Sequence, residues 1–275
     1  MILYAYINGK IFSAEKAVVS VSDLGLLRGY AVFDYLRTYH LKPFLLNDYL
    51  ERFFNSAKGL HLQIPLHKKQ LTELIDELIK WGNLKEDVGI RLLITGGNSD
   101  DSMTVKKPNL IILIETFNPF PEKYFTDGVR LITNKFHREI PQIKMTNYIN
   151  SIRQQEEKKK KNAYDILYCH DNKVLETSRN NFFIFKGKTL VTAKENVLPG
   201  ITRKYILSLA KKEFDIEERE MELKELKEAS ETFATGTTRA IVPVTQIDKL
   251  KIGNGKVGKN TKLLMQLFNE KISVL

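Results

Sequence analysis

The apolar positions repeat with a period of two in some stretches and near 3.6 in others, and the switches between them outline the elements. Residues 3–7 and 10–13 flank Asn8-Gly9, a pair that tolerates the positive φ of a tight turn, so the chain opens on a predicted hairpin. Residues 22–29 read as loop. Residues 31–39 are rich in β-branched and aromatic side chains and predict a strand, which Lys42-Pro43 turns toward Phe44-Leu45-Leu46. Asn47 or Asp48 caps a predicted helix running through Ala57, with Leu50, Phe53, Phe54 and Ala57 on one face. Leu71, Leu74, Ile75 and Leu78 predict a second helix over about 67–81, and strands follow at 89–95 and 110–117.

Asn118-Pro119-Phe120-Pro121 interrupts both periods. The expected organisation is an α+β domain over residues 1–118 with a largely antiparallel sheet, a linker over 119–128, and a second domain over 129–275. The second domain opens with a predicted strand at 129–135 and a helix from Thr146 to about Lys161. Short strands are expected at 165–170, 181–185 and 189–192. Pro199-Gly200 precedes a predicted helix at 201–212, and a weaker one covers 223–230. A strand at 231–234 leads into the polar loop Thr235-Gly236-Thr237-Thr238, then a strand at 240–244 and a final helix at 259–270. There is no internal repeat.

Composition narrows the function classes. With 43% hydrophobic residues the 275-residue chain can bury an adequate core. The formal net charge of +10 is spread along the chain and interleaved with acids, as in Glu217-Glu218-Arg219-Glu220, which argues against nucleic acid. The one dense run, Lys158 to Lys161, falls late in a predicted helix, where cations suit the helix dipole. A single cysteine, Cys169, allows no internal disulfide and suits a reducing compartment, and the first residues do not read as a signal peptide. No apolar run approaches the roughly 20 residues that cross a bilayer. A cytoplasmic protein with no membrane partner is expected.

Two stretches carry candidate chemistry. Lys144, in Ile143-Lys144-Met145-Thr146-Asn147-Tyr148, has only apolar and small neighbours and stands at the predicted start of a helix. An amine buried in such surroundings is a nucleophile toward carbonyls. About thirty residues later Glu176 precedes an apolar run, and a buried acid can stabilise a protonated ring nitrogen on an aldehyde cofactor such as pyridoxal phosphate. Gly200-Ile201-Thr202 at a helix start and Gly236-Thr237-Thr238 after a strand both offer N–H and hydroxyl donors to a phosphate. Each of these turns, taken alone, is more often plain capping, as a lone lysine is more often a surface residue.

Taken together, the run Glu176-x-Ser178-x-x-Asn181-Phe182-Phe183, then Leu190-x-Thr192, then Leu198-x-Gly200-Ile201-x-Arg203, resembles the signature of the class IV aminotransferases. These are pyridoxal-phosphate enzymes of fold type IV, a group that includes branched-chain and D-amino-acid aminotransferases and 4-amino-4-deoxychorismate lyases. The resemblance covers nearly the whole chain; the stretch between Thr192 and Leu198 is a residue or two shorter than usual. It implies a two-domain α/β (α+β) fold, with a smaller N-terminal α+β domain and a larger C-terminal, β-barrel-like, cofactor-binding domain with flanking helices. It implies a homodimer with active sites at the subunit and domain interface. It makes Lys144 the Schiff-base lysine, Glu176 the partner of the pyridine nitrogen, and Arg52 a phosphate ligand. Ile201, Thr202, Thr237 and Thr238 fall where the family holds the phosphate, and Tyr148 where a side chain reaches the phenolic oxygen. No metal is implied.

The substrate is less legible. D-amino-acid aminotransferases carry an arginine where this chain has Gly96, and branched-chain enzymes carry Tyr-x-Arg where it has Gly89-Ile90-Arg91. Gly29-Tyr30-Ala31-Val32-Phe33-Asp34 departs from the family's Gly-x-Gly-Val-Phe-Glu, and Arg28 stands where an aromatic residue is usual. The expected reaction is transfer of an amino group between a small branched-chain L- or D-amino acid and a 2-oxo acid such as 2-oxoglutarate, with Arg28 and Arg91 on substrate carboxylates. A chorismate-derived lyase is the enzyme alternative, and a binding or regulatory module on the same fold is the non-enzyme one.

Overall fold

In the computed structural model, which describes residues 1–275, the chain packs as two units. The first comprises Met1–Asn118, Ile143–Asn147 and Leu275; the second comprises Pro119–Gln142 and Tyr148–Val274.

The first unit is built on a six-stranded antiparallel sheet. Its strands are β1 (Ile2–Ile7), β2 (Lys10–Ser13), β3 (Ala31–Tyr39), β4 (Lys42–Pro43), β5 (Val88–Thr95) and β6 (Asn109–Thr116), in the order β2-β1-β6-β5-β3-β4. The helices are α1 (Leu24–Leu27), α2 (Leu46–Gly59) and α3 (Lys68–Trp81). The helical faces read from the periodicity are buried: Leu50, Phe53 and Ala57 on α2, and Leu71, Ile75 and Leu78 on α3. Removing a ring such as that of Phe53 costs about 3–5 kcal/mol in a core of this kind. Two local expectations differ. The 22–29 loop contains α1, because Asp23 accepts the Gly25 N–H at 2.6 Å and caps a helical turn. Helix α2 starts at Leu46, after Leu45 in a left-handed conformation, with no side-chain cap.

The second unit holds a ten-stranded sheet made of β7 (Val129–Lys135), β8 (Asp165–His170), β9 (Lys173–Thr177), β10 (Asn181–Lys186), β11 (Thr189–Thr192), β12 (Asp215–Glu218), β13 (Met221–Glu222), β14 (Glu231–Gly236), β15 (Ala240–Ile247) and β16 (Leu250–Lys251). The helices are α4 (Lys123–Thr126), α5 (Ile149–Arg153), α6 (Gln155–Lys160), α7 (Ile201–Ala210) and α8 (Lys259–Ile272). Strands β10-β14-β15-β7-β8-β9 close into a ring, because Glu176 of β9 pairs with Asn181 of β10. The unbroken apolar run Phe182-Phe183-Ile184-Phe185 follows from burial on both faces of β10. Phe182 and Ile184 join one core with Leu167 and Val242, while Phe183 stacks on Phe233 at 4.7 Å and Phe185 meets Phe214 edge-on at 4.9 Å.

The helix expected over 146–161 is two short helices, α5 and α6, and it begins at Ile149. Tertiary pairing overrides the helix propensity of residues 144–147. Phe33 donates its N–H to the Lys144 carbonyl at 2.9 Å, and Thr146 donates to the Ala31 carbonyl at 3.1 Å, so the lysine lies on an extended stretch beside β3. Strands β9 and β12 have no counterpart among the expected elements. The first follows a turn in which Asp171 and Asn172 both have positive φ, and the second is an acidic strand paired parallel to β11.

Candidate active site

In the first unit, α2 and β3 converge on the stretch that carries Lys144. Gly59 lets Ile143 lie against α2, since a Cβ there would meet the Ile143 Cδ1 at 2.4 Å. The Lys144 N–H donates to the Ser56 hydroxyl at 3.2 Å. Ser56 stands one helical turn beyond Arg52, so both point from the same face of α2. The Lys144 ammonium lies 4.5 Å from the centre of the Phe33 ring. Arg52 is 7% exposed, and its Nε and Nη2 fork onto Asp34 of β3 at 2.8 and 2.6 Å. Asp34 is fully buried and fixes the plane of the guanidinium, the geometry that bidentate recognition of an oxyanion requires.

In the second unit, Glu176 is 6% exposed at the ring closure. Its Oε1 accepts from Arg138 Nε at 3.0 Å and Nη2 at 2.5 Å; its Oε2 accepts from Asn181 Nδ2 at 3.1 Å and the Leu198 N–H at 3.0 Å. Each of these contacts is a donor, so the carboxylate serves as an acceptor at both oxygens. Asn181 also donates to the Leu198 carbonyl at 2.8 Å, which ties Glu176 to the turn that starts α7. At that turn Gly200 is the N-cap with no side-chain cap, and a Cβ on it would overlap the Asn181 Oδ1 at 1.9 Å. Ile201 and Thr202, both 7% exposed, form the first turn of α7. Across β10, Asn181 pairs with Thr235, whose buried hydroxyl has no hydrogen-bond partner. Thr237 and Thr238 follow, half-buried, in the turn between β14 and β15.

These residues fit a phosphorylated pyridine. The start of α7, which has no side-chain cap, suits an anion, the buried Thr235 hydroxyl has no hydrogen-bond partner, and Glu176 has the acceptor oxygens that a ring N–H needs. The other residues of the signature are structural. Thr192 donates its hydroxyl to the Phe182 carbonyl at 2.8 Å, and Arg203 binds the Ala193 carbonyl at 2.9 Å and Glu218 at 2.8 Å.

The remaining sequence candidates are placed as follows. Tyr148 is half-buried at the N-cap of α5. Arg28 is exposed at the C-cap of α1; its N–H donates to the Leu24 carbonyl at 2.9 Å, and its guanidinium to the neighbouring Leu27 carbonyl at 3.0 Å. Arg91 is forked onto Glu115 of β6 at 2.6 and 3.0 Å, with Tyr35 and Phe33 beside it. Sequence reasoning missed Arg138, Asp34 and Ser56 as partners of the candidate groups. Arg138 and Glu176 stand 38 residues apart, and no spacing rule joins them.

The model of the class IV amino-transferase family matches residues 31–247. A putative branched-chain-amino-acid aminotransferase of Methanocaldococcus jannaschii is 35% identical over 96% of this chain and 95% of its own length. A D-alanine aminotransferase of Listeria monocytogenes is 30% identical over 97% and 95%. Among solved structures, the branched-chain amino acid aminotransferase of Escherichia coli superposes with a TM-score of 0.90 at 26% identity, covering 98% of this chain and 94% of that one. A second branched-chain enzyme, solved with pyridoxamine 5'-phosphate, superposes with a TM-score of 0.91 at 27% identity, covering 99% and 94%. The chain belongs to the class IV aminotransferase family.

Proposed function

We propose that the protein is a pyridoxal-phosphate-dependent aminotransferase that moves an amino group between an amino acid and a 2-oxo acid. The observation that carries this reading is the single network in the second unit that joins a buried acid, Glu176, to a helix start suited to a phosphate, through Asn181. When bound, pyridoxal phosphate supplies a carbonyl that takes the amino group and a ring that delocalises the electrons left behind as the α-proton departs. Lys144 would hold the cofactor through its amine, and the same amine would carry the α-proton from one carbon to the other. Glu176 accepts the hydrogen bond of the ring N–H, with Arg138 fixing its orientation. Arg52, Ile201, Thr202, Thr237 and Thr238 hold the phosphate, and Tyr148 donates toward the phenolic oxygen.

Arg28 and Arg91 bind substrate carboxylates in this reading. Gly96 offers no charge, and Arg28 is a guanidinium that meets no carboxylate within its own chain. Donors of either hand, branched-chain L- or D-amino acids, fit the two kinds of relative. The enzyme acts as a cytoplasmic homodimer, with the partner's Arg28 reaching the site. The unpaired, buried Cys169 suits a reducing compartment, and no helix is long and apolar enough to cross a membrane.

Borohydride reduction followed by peptide mapping tests the assignment of Lys144; an adduct on another lysine, or on none, would end it. Assay of L- and D-amino acids against 2-oxoglutarate and pyruvate tests the reaction. Pyruvate release without an acceptor would instead favour the lyase.

A further inference from the structure

Beside the Thr237-Thr238 turn lies a group of cations without carboxylate partners. The register Asn181↔Thr235 sets two turns side by side, residues 178–180 after β9 and residues 237–239 after β14. Gly236 lies close against the first of these turns, for a Cβ on it would meet the Asn180 Oδ1 at 2.2 Å and the Arg179 carbonyl at 3.7 Å. Arg179 projects from the first turn and Arg239 from the second. The Arg239 guanidinium lies 3.9 Å over the Phe120 ring and 5.0 Å from the Tyr164 ring. Lys158 joins them from α6, whose end is fixed beside Tyr164 by the Ala163 N–H donating to the Lys158 carbonyl at 2.9 Å.

None of the three cations makes an ion pair. The acid that acts on Arg239 and Lys158 is Asp165, which is buried and already accepts from Thr177 at 2.9 Å, Ser178 at 2.5 Å, Asn180 at 3.2 Å and the Ile166 N–H at 2.9 Å. Its oxygens are committed to holding the Arg179 turn in shape. The Arg239 Nε and the Tyr164 hydroxyl are both buried with no hydrogen-bond partner. Burial lowers the Arg239 pKa from its ordinary value, with Arg179 adding to the effect while Tyr164, Asp165 and Tyr124 oppose it. Burial likewise lowers Lys158, with Arg179 and Arg239 pushing the same way and Asp165 opposing. Gathering like charges and leaving a guanidinium nitrogen unsatisfied costs free energy that an added anion would recover. The aromatic rings hold the Arg239 plane in place without supplying a counter-charge.

We propose that Arg239, Arg179 and Lys158 form an anion subsite that takes the distal carboxylate of a dicarboxylic substrate. This rests on the aminotransferase reading above, because Arg239 follows directly on the turn assigned to the cofactor phosphate. A four- or five-carbon 2-oxo diacid bound for amino transfer then places its second carboxylate on the guanidinium fork, with the Tyr164 hydroxyl as a further donor. Monocarboxylic acceptors leave the subsite unfilled, so it separates the two classes by a polar contact rather than by shape.

Two measurements on the holoenzyme test this, with Arg239→Gln and Arg179→Ala. Arg179 is exposed, so its truncation does not endanger folding. The ratio of kcat/KM for 2-oxoglutarate to that for pyruvate should fall at least tenfold in each variant. Calorimetric titration with glutarate, which has both carboxylates and no reactive carbonyl, should show at least tenfold weaker binding than wild type. An equal loss with both acceptors, or unchanged glutarate affinity in both variants, would overturn the subsite. If the wild type transfers no amino group to any acceptor, the aminotransferase reading falls, and the glutarate titration still decides whether the cluster binds a dicarboxylate.

Discussion

Asp34 gives both of its carboxylate oxygens to Arg52, from a strand to a helix, with neither partner more than 8% exposed at its side chain. Such a pair is expensive to break, because removing one partner strands the other charge in a dry interior. Asp34→Ala should therefore lower the unfolding free energy by about 3–5 kcal/mol, read as a denaturant midpoint. Asp34→Asn keeps the shape while removing the charge. It should weaken pyridoxal phosphate binding, followed by cofactor absorbance on dialysis, because Arg52 loses its fixed orientation.

Arg91 is spent on Glu115, with which it forms a two-point contact. A substrate carboxylate must compete for the same donors. Glu115→Gln should lower KM for the amino acid, whereas Arg91→Ala should raise it about tenfold (~1.4 kcal/mol). If both changes leave KM where it was, Arg91 is a structural ion pair and the carboxylate belongs to Arg28 alone.

Cys169 lies in the core of the ring, and burial, with a smaller contribution from Asp248, pushes its thiol up to about 12. At pH 8 its thiolate fraction is then on the order of one in ten thousand, against about a quarter for an ordinary thiol. The native protein should not react with Ellman's reagent over hours, and one thiol should appear on unfolding.

Arg219 holds the Glu225 carboxyl down to about 2 by donating to both its oxygens, at 3.0 and 2.8 Å, helped by the Glu222 N–H and Lys186. The folded value lies below the unfolded one near 4.3, so this stabilisation is complete above that pH. It is lost as pH falls toward 2. Urea midpoints between pH 5 and 2.5 should drop less steeply in Glu225→Gln than in wild type.

Short-range rules recover the helices α2 and α3, because each buries one face and its apolar residues repeat accordingly, and most strands, which stand out as short apolar or β-branched runs between turns. They set Lys144 at a helix start, since they carry the helix back from Lys161 to Thr146. The deciding hydrogen bonds come from β3, more than a hundred residues earlier. Glu176, Asn181 and Thr202 were legible as a pattern, since the signature runs through neighbouring residues. Their partners were not: Arg138, Asp34 and Ser56 act across 38, 18 and 88 residues respectively, on Glu176, Arg52 and the Lys144 N–H. Lys158 shows the same limit. Its position in a lysine run reads as a solvated helix end, yet it is half-buried toward Arg179 and Arg239.

The ring of the second unit is latched at a single rung, Glu176 to Asn181, and one half of that rung is the acid assigned to the cofactor. Whatever grips the acid therefore also fastens the hoop. Amides flanking the latch should exchange with deuterium more slowly when the cofactor is loaded, and their protection should return to the apo level once it is stripped. Vitamin supply would then set how tightly this half of the molecule stays shut, and with it how long the chain survives proteases.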